Sequence, residues 1–191
     1  MEGGDTLGKD SELYLQYLAG DEAALAELIR LYKDGLIFYL DSFLHDIHTA
    51  EDLTEETFIK IAIRRPRYVP RGQFQAWLYR IARNLAISHL RKVSRVKALP
   101  LEAVGDFPDD ALSLEQSYLL QERRIAVRRA LRKINPDYAQ VLYLTYFAGF
   151  DNGQVAAIMK KRKRQVENML YQAKKVLKAV LSKEECFYEE P

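Results

Sequence analysis

Apolar residues recur at three- and four-residue spacing along most of this chain, and this pattern constrains the fold more than any other feature. Such spacing places the apolar side chains on one stripe of an α-helix. In 22–44 the stripe consists of Leu25, Leu28, Ile29, Tyr32, Leu36, Tyr39, Leu40 and Phe43. In 73–93 a second stripe consists of Phe74, Trp77, Leu78, Ile81, Leu85 and Leu90. No alternating strand pattern stands out, so the sequence predicts an all-α fold.

Proline and glycine interrupt the helical pattern at two places. Pro66, Pro70 and Gly72 predict a loop before the helix of 73–93. Residues 94–114 combine proline, glycine and acidic residues, which is typical of an exposed linker. The sequence therefore predicts two small helical domains joined by a flexible acidic linker, with the bounds 12–95, 96–113 and 114–182.

Polar residues predict where two of the helices begin. Thr49 followed by Asp52 is similar to a capping box with Asp in place of Glu, so we expect a helix to start there. In the second domain, Asn135 ends one helix, and Pro136 is well placed as the first residue of the next.

Charge is segregated along the chain, although the formal net charge is only +2. Residues 1–56 hold 14 acidic and 3 basic residues, whereas residues 57–101 hold 11 basic and no acidic ones. Residues 102–122 hold 6 acidic and no basic residues, and residues 123–180 hold 14 basic and 3 acidic ones. A charge run can be a merely solvated face, but 45 residues without a carboxylate are hard to explain in that way. Two basic blocks predict two sites for a polyanion.

Several classes of protein and site are excluded. No apolar run approaches the ~18–20 residues of a membrane span, and the acidic start lacks a signal-peptide pattern. The single cysteine, Cys186, excludes a disulfide or a thiolate metal cluster within the chain. There is no glycine-rich phosphate loop and no supported Ser/His/Asp arrangement. We expect a cytoplasmic protein without enzyme activity, cofactor, metal or small-molecule substrate.

A short helix, a tight basic turn and a longer helix are typical of a helix-turn-helix, whose second helix enters the major groove of DNA. We expect Asp151 or Asn152 to cap the short helix, and the last helix to span about 164–181. The contacts between the two helices are expected from Val155, Ala156, Ile158, Val166 and Leu170. Phosphate contacts are expected from Arg162, Lys163 and Arg164, and base contacts from Gln165, Asn168, Met169 and Gln172. A surface helical hairpin is the alternative interpretation.

The first basic block interleaves cations with aromatic rings, which suits single-stranded nucleic acid because rings stack on exposed bases at roughly 1–3 kcal/mol each. Phe74 and Trp77 also lie on the apolar stripe of their helix, so core packing is the favoured interpretation of both. Tyr68 lies in the proline-bounded loop, and we expect its ring to be the better stacking candidate.

Two stretches resemble a known family. The run AEDLTEETFIKIA at 50–62, followed by FQAWLYRIARNLAISHLRK at 74–92, is similar to domain two of an ECF (extracytoplasmic-function) sigma factor of bacterial RNA polymerase. The segment 135–177, in which NPDYAQVLYLTYFAGF leads into the helix-turn-helix, resembles domain four of that family. The resemblance covers about 12–182 and implies a dissociable promoter-specificity subunit rather than an enzyme.

The resemblance implies three sets of contact residues. Docking on the clamp helices of the largest polymerase subunit is implied for Asp52, Leu53, Glu55, Glu56, Phe58 and Ile59. Opening of the minus-ten element and capture of an extruded base are implied for Arg67, Tyr68, Arg71, Trp77, Arg80, Arg83 and Asn84. Reading of the minus-thirty-five duplex is implied for Arg162, Lys163, Arg164, Gln165, Glu167, Asn168, Tyr171, Gln172 and Lys175. The implied partners are core polymerase, promoter DNA and an anti-sigma factor.

This chain departs from the family's pattern at several positions. Lys160 stands where the family often has Gly, and a left-handed Lys is disfavoured by roughly 1 kcal/mol, so we expect a turn of different shape. Glu167 and Gln172 stand where basic residues are usual, so we expect a minus-thirty-five sequence other than the family's commonest. Glu55 replaces a usual Gln, a mild change on the docking face.

Two other functions remain as alternatives. One is a helix-turn-helix regulator that binds duplex DNA without engaging polymerase, and the other is a protein-binding module that regulates a sigma factor. The docking helix argues against the first, because a plain repressor needs no such face. The two separate basic blocks argue against the second.

Overall fold

The structure, a computed structural model, describes residues 8–66, 68, 73–97, 127 and 129–185. These residues contain helices and no strands, as the apolar spacing predicts. The helices are α1 (Lys9–Leu18), α2 (Glu22–Leu44), α3 (Ile47–Arg64), α4 (Phe74–Lys97), α5 (Pro136–Tyr146), α6 (Asn152–Met159) and α7 (Lys163–Glu185).

The N-terminal unit consists of α1 to α4, with α2 packed against each of the other three helices. An aromatic cluster joins α1 to the start of α4, since the ring of Tyr14 lies 5.2 Å from both Phe74 and Trp77 and 5.9 Å from Tyr68. The Tyr14 hydroxyl donates to the carbonyl of Pro66 at 3.1 Å. Burial raises the pKa of Tyr14 to about 12, so the phenol remains a neutral donor at ordinary pH.

The C-terminal unit consists of α5 to α7, in which α7 packs against both shorter helices. Val155, Ile158 and Val166 are fully buried between α6 and α7, and Leu170 packs at the edge of the same cluster. These are the contacts expected of a helix-turn-helix pair, so that part of the prediction is confirmed. The two units also contact each other, because α5 packs on α2 and α6 packs on α4.

The start of α3 differs from the predicted capping box. The helix begins at Ile47, and the carboxylate of Asp46 accepts from the backbone amides of His48 and Thr49. Thr49 is therefore inside the first turn, and its hydroxyl donates to Asp46 at 2.6 Å. This hydrogen bond holds the pKa of the Asp46 carboxyl below its usual range. Asp46 caps the helix because its extended backbone lets one side chain reach two free amides.

Pro136 is the first residue of α5, as predicted, and Asn135 caps this helix by accepting from the amide of Asp137 at 2.9 Å. Asp151, rather than Asn152, caps α6 through a capping box with Gln154.

Some element bounds differ from the prediction or lie outside the described residues. The helix expected to end near 93 continues to Lys97, and α1 was not predicted from the sequence. Of the helix expected from about 114 to 134, the structure describes 127 and 129–134, of which 127 and 129–132 are helical. Most of the predicted linker lies outside the described residues. Within the part of the chain that the structure covers, no helix is both long and apolar enough to cross a membrane.

Lys160 forms the turn of the helix-turn-helix in the left-handed conformation, with φ 55° and ψ 44°. Its amide donates to the carbonyl of Ala156, and the amide of Lys161 donates to the same carbonyl. The expectation of a different turn shape is therefore wrong. The chain keeps the left-handed turn that glycine usually supplies and accepts the steric cost of a Cβ there.

Replacing Lys160 should show this cost directly. Lys160→Gly should raise the free energy of unfolding by about 0.5–1 kcal/mol, because the relief of the left-handed strain exceeds the added entropy of the unfolded chain. Lys160→Ala is the matched control, since it removes the same side chain and keeps the strained Cβ. Urea denaturation of the three proteins measures the difference, and equal stability of the Gly and Ala variants would contradict a strained turn.

Candidate nucleic-acid and protein interfaces

The outer face of α7 carries most of the residues expected to contact duplex DNA. Arg164, Asn168, Tyr171 and Lys175 follow one another at helical spacing and are all exposed, while Val166 and Ala173 are fully buried on the opposite face. Glu167 and Gln172 lie on either side of this row and are also exposed. Arg162 and Lys163 are exposed at the start of the helix. The helix thus presents a mixed basic and amide surface with one carboxylate.

Two side chains expected to read bases are engaged elsewhere. The Gln165 amide oxygen accepts from the backbone amide of Arg162 at 2.8 Å, so this side chain caps α7. Met169 is partly buried and packs against the apolar core, so the expectation that it points to bases is wrong. Helical period explains the difference, since Met169 lies three residues after the buried Val166.

The residues expected to act on the minus-ten element differ in their exposure, and two of them lie outside the described residues. Arg80 is exposed, and Asn84 is half-buried with no hydrogen bond to its side-chain amide among the described residues. Trp77 is half-buried against the ring of Tyr68, at 5.3 Å. Arg67 and Arg71 lie outside the described residues.

Tyr68 and Arg83 are buried, contrary to what the sequence indicated. The Tyr68 ring is 8% exposed, packs edge-on to Phe74, and shares a hydrogen bond of 2.8 Å with the Ser11 hydroxyl. The expectation of a ring free to stack in a loop is therefore wrong for this conformation. Arg83 is also 8% exposed, and its Nε donates to the amide oxygen of Gln140 in the C-terminal unit.

The exposed face of α3 carries acidic and apolar side chains together. Asp52, Glu55, Glu56 and Ile59 are exposed, as the docking interpretation requires. Leu53 and Phe58 are each 6% exposed and belong to the core, so their placement on the docking face is wrong.

Ile63 is a residue of this face that the prediction missed. It is 77% exposed, one turn beyond Ile59, which is 54% exposed. The helical period was the signal that could have found it, because position 63 lies on the same side as 52, 56 and 59. An acidic face with two exposed isoleucines fits a basic helical partner with an apolar seam.

Two family profiles match this chain in order. Sigma-70 region 2 matches residues 28–96, and Sigma-70, region 4 matches residues 124–177. The chain belongs to the sigma-70 family. Its curated relatives place it in the ECF group of that family.

ECF sigma factor BldN of Streptomyces coelicolor is 29% identical over 171 residues, which are 89% of this chain and 65% of BldN. ECF sigma factor SigW of Bacillus subtilis is 26% identical in an alignment of 181 residues that covers 87% of this chain and 93% of SigW. The chain therefore spans slightly less than two thirds of BldN and nearly all of SigW.

Solved structures share the fold of this sigma factor. The sigma factor RpoE of Bartonella quintana, in complex with the anti-sigma factor NepR, matches with a TM-score of 0.64 and 23% identity, over 82% of this chain and 96% of RpoE. CnrH, in complex with the cytosolic domain of CnrY, also matches with a TM-score of 0.64, at 22% identity, over 91% of this chain and 97% of CnrH.

Proposed function

We propose that this sigma factor binds core RNA polymerase and directs transcription initiation at specific promoters. The observation that carries the proposal is the pairing of two exposed faces on one chain, an acidic and apolar face on α3 and a basic and amide face on α7. A regulator that binds DNA alone would need only the second face. The family profiles for regions 2 and 4 match the helices that carry these two faces.

The α3 face is the proposed polymerase contact. Asp52, Glu55 and Glu56 supply charge that steers a basic partner, and exposed isoleucines supply the apolar area that holds it. Leu53 and Phe58 lie on the opposite, buried side of α3 and hold the helix against the core. The clamp helices of the largest polymerase subunit are the partner that the family resemblance implies.

The α7 face is the proposed reader of the minus-thirty-five duplex. Arg164 and Lys175 would contact phosphates, and Asn168 offers an amide donor and acceptor to base edges. Glu167 repels phosphate but can accept a hydrogen bond from cytosine N4, so it favours a specific base over general affinity. Gln165 shapes the helix start and retains its amide donors for DNA.

The minus-ten site is proposed around Asn84 and Arg80 on α4. The amide of Asn84 can hold the edge of an extruded base, and Arg80 lies on the exposed side of the same helix. The rings of Tyr68 and Trp77 pack against each other beside this site, so they are not free to stack on bases. Arg67 and Arg71 remain proposed DNA contacts of the loop between α3 and α4.

The remaining expectations stay proposals. We propose domain bounds of 12–95 and 114–182, and action as a non-enzymatic initiation factor in the cytoplasm, where polymerase transcribes. Two solved structures of this fold are complexes, RpoE with the anti-sigma factor NepR and CnrH with the cytosolic domain of CnrY. We propose that an anti-sigma factor also binds this chain.

Polymerase binding should depend on the exposed isoleucines of α3. Ile59→Ala with Ile63→Ala should weaken binding to core polymerase at least tenfold, because truncating central apolar anchors typically costs more than 1 kcal/mol each. Leu31→Ala is the matched control, since Leu31 is a similarly exposed apolar residue on α2. Fluorescence titration with core polymerase measures the affinities. Undiminished binding by the double variant, with unchanged circular dichroism, would refute the docking face.

Promoter choice should depend on Glu167. Glu167→Arg should change the preferred base at one minus-thirty-five position, with a discrimination of about 1–3 kcal/mol. Lys163→Ala should instead weaken all promoters alike and lower the salt slope of binding by about one unit. A promoter-library selection at two salt concentrations separates the two effects. An unchanged minus-thirty-five preference in Glu167→Arg would place that side chain away from the bases.

Promoter opening should depend on the Asn84 amide. Asn84→Ala should reduce open complexes on a duplex promoter by about three- to tenfold, the loss expected for one or two base hydrogen bonds. The loss should be smaller on a template already melted at the minus-ten element, since the unpairing cost is absent there. Ser88→Ala is the control, because the Ser88 hydroxyl donates to the backbone carbonyl of Asn84. Its removal leaves the side-chain amide of Asn84 intact. Permanganate footprinting gives the readout, and equal losses on both templates would contradict base capture.

A further inference from the structure

The first helix, α1, contacts the end of α3 through Tyr17. The Tyr17 hydroxyl donates to the carbonyl of Ala62, in the last turn of α3, at 2.8 Å. Carbonyls in the last turn of a helix have no partner within that helix, so this bond satisfies one of them. The Arg65 guanidinium lies 5.2 Å from the centroid of the Tyr17 ring. Arg65 ends α3 in the left-handed conformation, with φ 39° and ψ 55°, so α1 supports the residue at which the chain leaves the helix.

Two further side chains of α1 hold the residues that follow, 65, 66 and 68, which we call the exit segment. The Tyr14 hydroxyl donates to the carbonyl of Pro66 at 3.1 Å, and the Ser11 hydroxyl shares a hydrogen bond of 2.8 Å with the Tyr68 hydroxyl. Ser11 and Tyr14 are both buried. With Tyr17 they are spaced by three residues on one face of α1, and their partners follow in reverse order along the chain. One face of α1 therefore fixes the exit segment and the end of α3 together.

The same contacts extend to the helix α4. The ring of Trp77 lies 5.2 Å from the ring of Tyr14 and 5.3 Å from that of Tyr68. Trp77 is half-buried and lies two turns before Asn84 on the same face of α4. A change in how α1 holds the exit segment therefore reaches the face of α4 on which base capture is proposed.

The exposed side of α1 offers DNA little to bind. Its one basic residue, Lys9, forms an ion pair of 2.8 Å with Glu27 of α2, and its other exposed side chains are Glu12 and Gln16. A carboxylate repels phosphate, so this side of α1 does not favour a polyanion. The helix also precedes residue 28, where the match to Sigma-70 region 2 begins. A role of α1 in promoter opening would therefore act through other residues and is not implied by the family profile.

We propose that Ser11 and Tyr14 are positioning residues for promoter opening. Their hydroxyl groups fix the exit segment, and through the rings of Tyr14 and Tyr68 they fix Trp77 beside the site of base capture. A site that is held in place before binding loses less conformational entropy when it takes up an extruded base. The role in promoter opening rests on the proposed function, whereas the hold of α1 on the exit segment depends only on the contacts within the N-terminal unit.

Removing the two hydroxyl groups tests the proposal and keeps the aromatic ring. Ser11→Ala with Tyr14→Phe should lower open complexes on a duplex promoter about fivefold, because two buried hydrogen bonds no longer hold the site. The loss should be smaller on a template already melted at the minus-ten element, where the unpairing cost is absent. Affinity for core polymerase should stay at the wild-type value, since the proposed polymerase contact is on α3 and neither hydroxyl is bonded to that helix.

The free protein gives a second readout, because Trp77 is its only tryptophan. Quenching of Trp77 fluorescence by acrylamide should rise about twofold in the double variant, since a loosened exit segment uncovers the ring. Tyr14→Phe alone is the milder change and should lower open complexes about twofold. If the double variant loses its helical circular dichroism, this single variant decides by the same readouts.

Tyr32→Phe with Ser42→Ala is the matched control, because it removes the same two groups elsewhere in the N-terminal unit. The Tyr32 hydroxyl donates to Asp10 at 2.8 Å, and the Ser42 hydroxyl donates to the carbonyl of Tyr39 at 2.7 Å. Neither bond involves the exit segment. The control should therefore leave promoter opening and Trp77 quenching at the wild-type values.

Four results would overturn the proposal. They are wild-type opening of the duplex promoter by the double variant, an equal loss on the duplex and melted templates, an equal loss in the control, and unchanged quenching of Trp77. If the wild-type protein does not bind core polymerase, the proposed function fails. Quenching of the free proteins then still supports or overturns the hold of α1 on the exit segment.

Discussion

The helices α3 and α7 each pack against the core with one face and present a proposed binding surface with the other. Small helical units have few side chains to bury, so one helix must supply both. In α3 the residues that face α2 and α4 fix the helix, and those one position away face solvent with acidic and apolar groups. In α7 the same division puts Val166 and Ala173 in the core and Arg164 and Lys175 outside. The 3.6-residue period thus couples stability and binding, since a binding side chain is always next to a core one.

The helix α4 has a third surface, which faces the C-terminal unit. This contact explains why Tyr79 and Arg83 are buried. Its apolar stripe packs in the N-terminal unit, Arg80 faces solvent, and Tyr79 and Arg83 face the C-terminal unit. A polar group in such a position needs a partner from the opposite unit, which Gln140 supplies. The contact is specific and yet weak, because an amide satisfies the donor without neutralising its charge.

Residues that act within one helix could be predicted from the sequence, and residues that depend on distant partners could not. The apolar stripes, Pro136 at a helix start and the Asp151 cap follow from local rules. The period itself also separates Phe58 from Ile59, so the misplacement of Phe58 and Leu53 on the docking face was avoidable. Tyr68 and Arg83 are different, since their hydrogen-bond partners Ser11 and Gln140 each lie 57 residues away along the chain. No spacing rule within one helix contains that information.

Lys160 and Glu167 show why departures from a family pattern need a structure to interpret. Lys160 keeps the left-handed turn that glycine usually supplies, so we expect the cost of its Cβ in stability. Glu167 lies on the exposed face of an undistorted helix, so its carboxylate changes what that face can bind. A negative charge among phosphate-binding cations lowers affinity for every DNA sequence unless one base donates a hydrogen bond to it. Because the turn keeps its left-handed conformation and Glu167 is exposed on α7, we expect Glu167 to change the choice of sequence rather than the docking of the helix.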